Sequence, residues 1–275
     1  MNITNESGRN SARPGPPGLR THSDAVDSTV IKRHYEDLAD NYDEFLYWSP
    51  GFVGTLADKI VEMLDLQPDD TLVDIGGGTG MYSLALLERV GLKKPVTVVD
   101  PFPEMLRRIP DEAPIIPVAA DAVEFSTNAP ACSKVLIKEA IHHVDRKPEL
   151  MSNLYRRLDR RGRVLLVHVD PNLVEYPLFD AALDNARTSF ADPDELVDLL
   201  EGVGFETRRD ELPYRHDVAT DRYHRMVEQR YMSILTSLPD EQLIAGLDEM
   251  RTRHAGLDSL QFTETFSYVL GTKTP

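Results

Sequence analysis

The run Val73-Asp-Ile-Gly-Gly-Gly-Thr-Gly80 constrains this chain more than any other stretch. The apolar segment Thr71-Leu-Val-Asp-Ile75 reads as a buried strand, four glycines follow it closely, and helical periodicity holds from about Tyr82 to Val90. Glycine lets the backbone turn tightly and lets a ligand approach the main chain with no Cβ in the way. A strand, glycine loop and helix in that order predict a βα unit whose loop lies at the carboxyl end of the strand, where open α/β sheets bind ligands. The spacing also excludes two readings. A dinucleotide loop starting at Gly76 needs glycine at positions 78 and 81; Gly78 is there, but Met81 occupies the other. Starting at Gly77 fails at Thr79, and a phosphate loop fails because no Lys closes the run. A dehydrogenase is therefore disfavoured by Met81.

Short apolar runs alternate with helical patterns around this unit. Val96–Val99, Ile115–Val118, Val135–Ile137 and Val164–Val169 read as further strands, with Pro117 making the third doubtful. Helical patterns cover about 52–66, 103–108 and 148–158, and Arg161-Gly162 suggests the turn before the fifth strand. This alternation predicts a parallel sheet with helices on both faces. Beyond Asp170 the pattern loosens. A helix is expected over Asp194–Val203, a sixth strand opening at Gly204–Thr207, helices over about 220–254 with a break at Leu238-Pro-Asp240, and a final strand over Gln261–Gly271. Residues 1–27 are poor in large apolar side chains and are expected to form a disordered tail. Residues 28–275 are expected to form a single domain, with lid helices at about 28–66 and a helical cap at about 220–254.

Two further carboxylates stand in order behind the glycine loop. Asp100 ends the second strand, where a carboxylate can accept hydrogen bonds from a ribose diol; Asp121 follows the third, where it can accept from an adenine amino group. Short polar residues also end strands for structural reasons. The ordered set resembles the class I S-adenosylmethionine-dependent methyltransferases, over about residues 35–211. Asp74-Ile-Gly-Gly-Gly-Thr-Gly80 is similar to the family's acidic-x-Gly-x-Gly-x-Gly loop, Val99-Asp100 to its acidic second-strand end, and Ala120-Asp121-Ala122 to its adenine-flanking segment. Lys138-Glu-Ala-Ile-His-His-Val144 is similar to the segment where donor and acceptor meet; Arg161-Gly162 departs from the family's frequent Pro-Gly turn.

The resemblance implies an α/β, Rossmann-like seven-stranded sheet in the order 3-2-1-4-5-7-6 with strand seven antiparallel, and S-adenosyl-L-methionine as cofactor. It implies that Asp74, Gly76, Gly78 and Gly80 hold the cofactor's methionine part and Asp100 its ribose, with Asp121 and Ala122 at the adenine. Lys138 stands among the expected cofactor-binding residues, as do Tyr35 and Tyr42, which fit aromatic positions of a helix covering the cofactor.

A sulfonium methyl is already activated, so the protein's task is alignment and, for a hydroxyl acceptor, proton removal. Histidine titrates near neutrality. His143 is the expected base, with His142 the alternative; Glu139 and His168 are further candidates. His168 and Asp170 share a strand face, but two ligands do not make a metal site, and no metal is expected. In the cap, Tyr223, Met226, Tyr231, Met232 and Leu235 either line an acceptor pocket or pack in the core, and Arg208, Arg209, Arg251 and Arg253 are expected to be solvated charges.

The formal charge, 30 − 46 = −16, repels phosphate and argues against a nucleic-acid acceptor. The lone Cys132 excludes an internal disulfide framework, and no apolar span suggests a membrane helix or signal peptide, so a cytoplasmic setting is expected. The expected activity is methyl transfer to oxygen or nitrogen of a small organic molecule, with natural-product biosynthesis as a setting. A quinone or sterol carbon methyltransferase and a non-catalytic cofactor-binding protein remain alternatives. The sequence does not choose between a monomer and a homodimer.

Overall fold

The computed structural model describes Ser49 and residues 51–274. The expected tail, and the part of the lid that holds Tyr35 and Tyr42, lie outside the described residues. The chain runs α1 (Phe52–Leu64), β1 (Leu72–Ile75), α2 (Met81–Val90), β2 (Val96–Asp100), α3 (Pro103–Leu106), β3 (Ile115–Ala119), α4 (Ala122–Asn128), β4 (Cys132–Lys138), α5 (Lys147–Arg157) and β5 (Leu158–Val169). It continues through α6 (Asp180–Ser189), α7 (Pro193–Glu201), β6 (Phe205–Ala219), α8 (Thr220–Glu228), α9 (Ser233–Thr236), α10 (Asp240–Arg253) and β7 (Ser259–Lys273). The strands form one seven-stranded sheet in the order β3-β2-β1-β4-β5-β7-β6. The first five are mutually parallel, and β7 runs antiparallel to both β5 and β6.

Alternate residues of the central strands feed two apolar layers, as the period of two requires. Val98, Leu136, Leu165 and Val167 join the layer with α1, α2, α6, α8, α9 and α10. Val73, Ile75, Val135, Ile137, Val164 and Leu166 join the opposite layer, with α5 and α7. In α1, Phe52, Leu56, Ala57, Ile60, Met63 and Leu64 recur at helical spacing and are buried together.

β3 forms despite Pro117, because it is an edge strand and only one neighbour needs its ladder. Arg161-Gly162 falls within the span of β5 rather than ahead of it, at a register irregularity where Arg161 takes left-handed backbone (φ 62°). From Cys132↔Leu158 to Lys134↔Arg163, β4 advances two residues (134 − 132) and β5 five (163 − 158). β6 extends to Ala219 and pairs with β7 along its whole length. Arg209 is not merely solvated: it lies 3.0 Å from the buried Asp170 carboxylate and 2.9 Å from both Asp194 and Glu211. The helices α4 and α6 were not expected.

Candidate functional site

The glycine loop turns where β1 meets α2. Gly76, Gly78 and Gly80 all take positive φ (71°, 54° and 75°), which side chains with a Cβ rarely adopt. A Cβ on Gly76 would stand 2.2 Å from the Cβ of Ala140, so the loop is also pressed against the end of β4. The loop's glycine amides are used internally. Gly76 and Gly77 donate to the Val99 carbonyl, Gly78 to Asp100 and Gly80 to the Gly77 carbonyl. The loop thus offers bare backbone surface rather than a row of anion-binding N–H groups, which agrees with the exclusion of a phosphate loop.

The carboxylates expected at the cofactor take different places. Asp74 is buried on the wall of a cavity of about 130 Å³ and accepts from Ser83 Oγ at 2.7 Å. Burial pushes its carboxyl up to about 6; the Ser83 bond and Lys138 pull it down, while Asp100 pushes it further up. Asp100 lies beneath the loop, with Oδ2 accepting from Gly78 N–H at 3.0 Å and Oδ1 from Phe102 N–H at 2.9 Å. Its carboxyl is likewise raised to about 6, chiefly by burial. Asp121 is exposed and caps α4, accepting from the amides of Val123 and Glu124 with Oδ1. Gly76 and Gly78 join Asp74 on the cavity wall, while Gly80, Asp100, Asp121 and Ala122 are not part of it.

The opposite side of the cavity is built by the end of β4, the middle of β7, Tyr176 and Phe190 from the segment after β5, and the cap. Lys138 Nζ lies 4.5 Å above the Tyr82 ring and 5.1 Å from that of Phe266. Burial pushes its pKa down, against the attraction of Glu139, Glu264 and Asp74. Glu139 holds an uncommon left-handed backbone (φ 52°) and accepts from Val169 N–H at 2.7 Å. From the cap, Tyr231 and Met232 reach the cavity, whereas Tyr223, Met226 and Leu235 are buried in the core.

The two adjacent histidines separate. His142 is on the cavity wall and His143 is not, although their rings lie 3.8 Å apart. His142 Nδ1 stands 2.9 Å from His168 Nε2, and His168 Nδ1 stands 2.9 Å from the Val169 carbonyl. His142 Nε2 is buried with no hydrogen-bond partner among the described residues. Burial pushes the His142 pKa well below the ordinary imidazole value, and His143, His168 and Lys147 add to that. The ring is therefore neutral at pH 7.

Sequence reasoning missed the Glu264 cluster. This buried carboxylate on β7 lines the cavity, accepts from the Tyr176 hydroxyl and lies 3.1 Å from His216 Nε2; His216 Nδ1 is 3.2 Å from Ser49 Oγ. Glu264, the one charged residue in the alternating stretch Leu260–Leu270, was the available signal. Among the described residues, no group of three or more His, Cys, Asp or Glu side chains could hold a metal ion, and no helix is long and apolar enough to cross a membrane.

A sequence family described as a methyltransferase domain matches residues 47–209. The chain belongs to that family. With the observed strand order, it is a class I S-adenosylmethionine-dependent methyltransferase. The ubiquinone/menaquinone biosynthesis C-methyltransferase UbiE of Bordetella parapertussis is 25% identical over 202 residues, covering 72% of this chain and 67% of that protein. A putative methyltransferase from an antibiotic biosynthesis pathway of Anabaena variabilis superposes with a TM-score of 0.62 at 19% identity, over 78% of this chain and 96% of its own. Phosphoethanolamine N-methyltransferase 2 of Haemonchus contortus, solved with phosphomonomethylethanolamine and S-adenosylhomocysteine, gives 0.60 at 16% identity, over 90% of this chain and 59% of that one. At such identities the structural likeness carries the fold alone.

The site of this methyltransferase fits its cofactor on its own chemistry. The loop presents backbone with no side chain in the way, Asp74 supplies a buried carboxylate for an ammonium, and the adjoining wall is aromatic, as a sulfonium favours.

Proposed function

We propose that this methyltransferase moves a methyl group to an oxygen or nitrogen of a small organic molecule held in the cavity between the glycine loop and the cap. One observation carries the reading: Asp74, the glycine loop and His142, with its partnerless Nε2, line the same cavity. The bound cofactor supplies an electrophilic methyl group. Asp74 and the backbone of Gly76–Gly78 hold its methionine end, and Asp100 and Asp121 hold the adenosine end with the lone pairs their amide partners leave over. Lys138, fixed above Tyr82, shapes the wall between donor and acceptor. His142 takes the proton that an acceptor hydroxyl gives up, a role we prefer for it over His143. Such a base is worth about 10²–10⁴ in rate. The partly aromatic wall and the net charge of −16 suit a small uncharged or cationic acceptor in specialised metabolism better than a polyanion.

The similarity to a quinone-pathway C-methyltransferase favours a second reading, transfer to carbon. Labelled methyl transfer to a panel of phenols, amines and quinol precursors, with product analysis, tests both. O- or N-methyl products that fall with His142→Ala support the first reading. C-methyl products support the second. A folded protein that binds the cofactor without turnover on any acceptor is a binding protein instead.

A further inference from the structure

Resting on the reading of His142 as the base, we infer that His168 is a positioning residue: anchored to the Val169 carbonyl, it fixes the tautomer of His142 and leaves Nε2 as the lone-pair nitrogen at the cavity wall. A backbone carbonyl only accepts, so His168 Nδ1, 2.9 Å from the Val169 oxygen, carries a proton and donates it. In a neutral imidazole the other nitrogen is then an acceptor. With the His168 ring uncharged, its Nε2 accepts from His142 Nδ1 across 2.9 Å, which places the His142 proton on Nδ1. His142 Nε2 is left unprotonated, and it is the buried atom with no partner among the described residues. An unpaired buried acceptor costs stability, and a proton-donating ligand in the adjoining cavity would satisfy it.

The packing holds this arrangement still. His168 is 1% exposed, and Phe190 meets its ring edge-on at 5.2 Å. The charged or titratable groups around the pair are His143, whose ring is tilted against that of His142, Lys147, and Glu139, whose Oε1 lies 3.7 Å from His168 Nδ1. When His142 gains a proton at Nε2, its Nδ1–H still donates to His168. His168 touches no reacting atom in this scheme. It acts through the orientation and tautomer of His142.

Imidazole nitrogen NMR on the full-length protein with S-adenosylhomocysteine tests this without a known acceptor. In the wild type at pH 7.5, both His142 and His168 are expected as Nδ1–H tautomers. His168→Gln offers an amide oxygen to His142 Nδ1–H and is expected to keep the His142 tautomer. His168→Leu removes the acceptor and is expected to shift His142 toward Nε2–H. With an acceptor in hand, His168→Leu lowers kcat by more than about tenfold, with little change in KM, and His168→Gln restores most of it. A wild-type His142 protonated on Nε2, or a His142 tautomer indifferent to His168→Leu, overturns the inference. The wild-type spectrum decides even if a variant fails to fold. A His142→Ala enzyme with undiminished turnover would instead remove His142 as the base while leaving the tautomer result standing.

Discussion

Replacing Asp74 with Asn should make the unliganded protein more stable and a poorer binder of its cofactor. The carboxyl is 2% exposed, and burial raises it from 3.8 to about 6. Between those values the folded protein holds a proton that the unfolded chain has released, so stability falls as pH rises through that window. Above about pH 6 the whole penalty is present. A shift of 2.2 units (6 − 3.8) at about 1.4 kcal/mol per unit amounts to about 3 kcal/mol at pH 7.5, and to roughly half of that at pH 5. Asn keeps the size of the side chain, and its oxygen can still accept from Ser83 Oγ, but it carries no charge to desolvate. Urea unfolding of wild type and Asp74→Asn without ligand should show a gain approaching about 3 kcal/mol at pH 7.5 that shrinks toward pH 5. Affinity for S-adenosylhomocysteine should fall about 10- to 100-fold, the loss of one charge-assisted hydrogen bond. A variant less stable than wild type at pH 7.5, or a gain independent of pH, would refute this account of the carboxylate.

Three other outcomes follow from the same geometry. Gly76→Ala forces a Cβ into left-handed backbone and against Ala140, so cofactor affinity and melting temperature should both drop, by calorimetry and thermal unfolding. Because burial lowers the His142 pKa in the free protein, the acidic limb of kcat/KM against pH should have its midpoint below the ordinary imidazole value of about 6.5; a midpoint above it contradicts His142 as base. Burial pushes the Cys132 thiol up to about 12, so iodoacetamide should label it slowly in the native protein and quickly in urea.

Local signals in the sequence carried the centre of the fold. The apolar run into Gly76–Gly80 is a contiguous pattern, and β1, the loop and α2 fall where it points. The strand order came from resemblance to a family, since no local pattern encodes which strands become neighbours. β6 was mostly hidden because an edge strand carries polar and charged side chains and, here, Pro213. α6 buries only Ala182 and Ala186, residues too small to mark a helical stripe, and α4 presents only Val123 and Ser126. At the site, Asp74 and the loop were legible for the same local reason. Which of His142 and His143 reaches the cavity wall was not, because that is set by how the segment after β4 packs in the folded chain, where His142 meets His168, 26 residues away. The Glu264 cluster joins Tyr176 and His216 across separations of 88 and 48 residues, which only the folded sheet brings together.

Isothermal calorimetry of S-adenosylhomocysteine into the folded, full-length protein tests the central claim most directly. Saturable binding at one site per chain, weakened at least about tenfold by Asp74→Asn, is the expected result. A well-folded protein that takes up neither this ligand nor S-adenosylmethionine, or one whose affinity ignores Asp74, would contradict the site described.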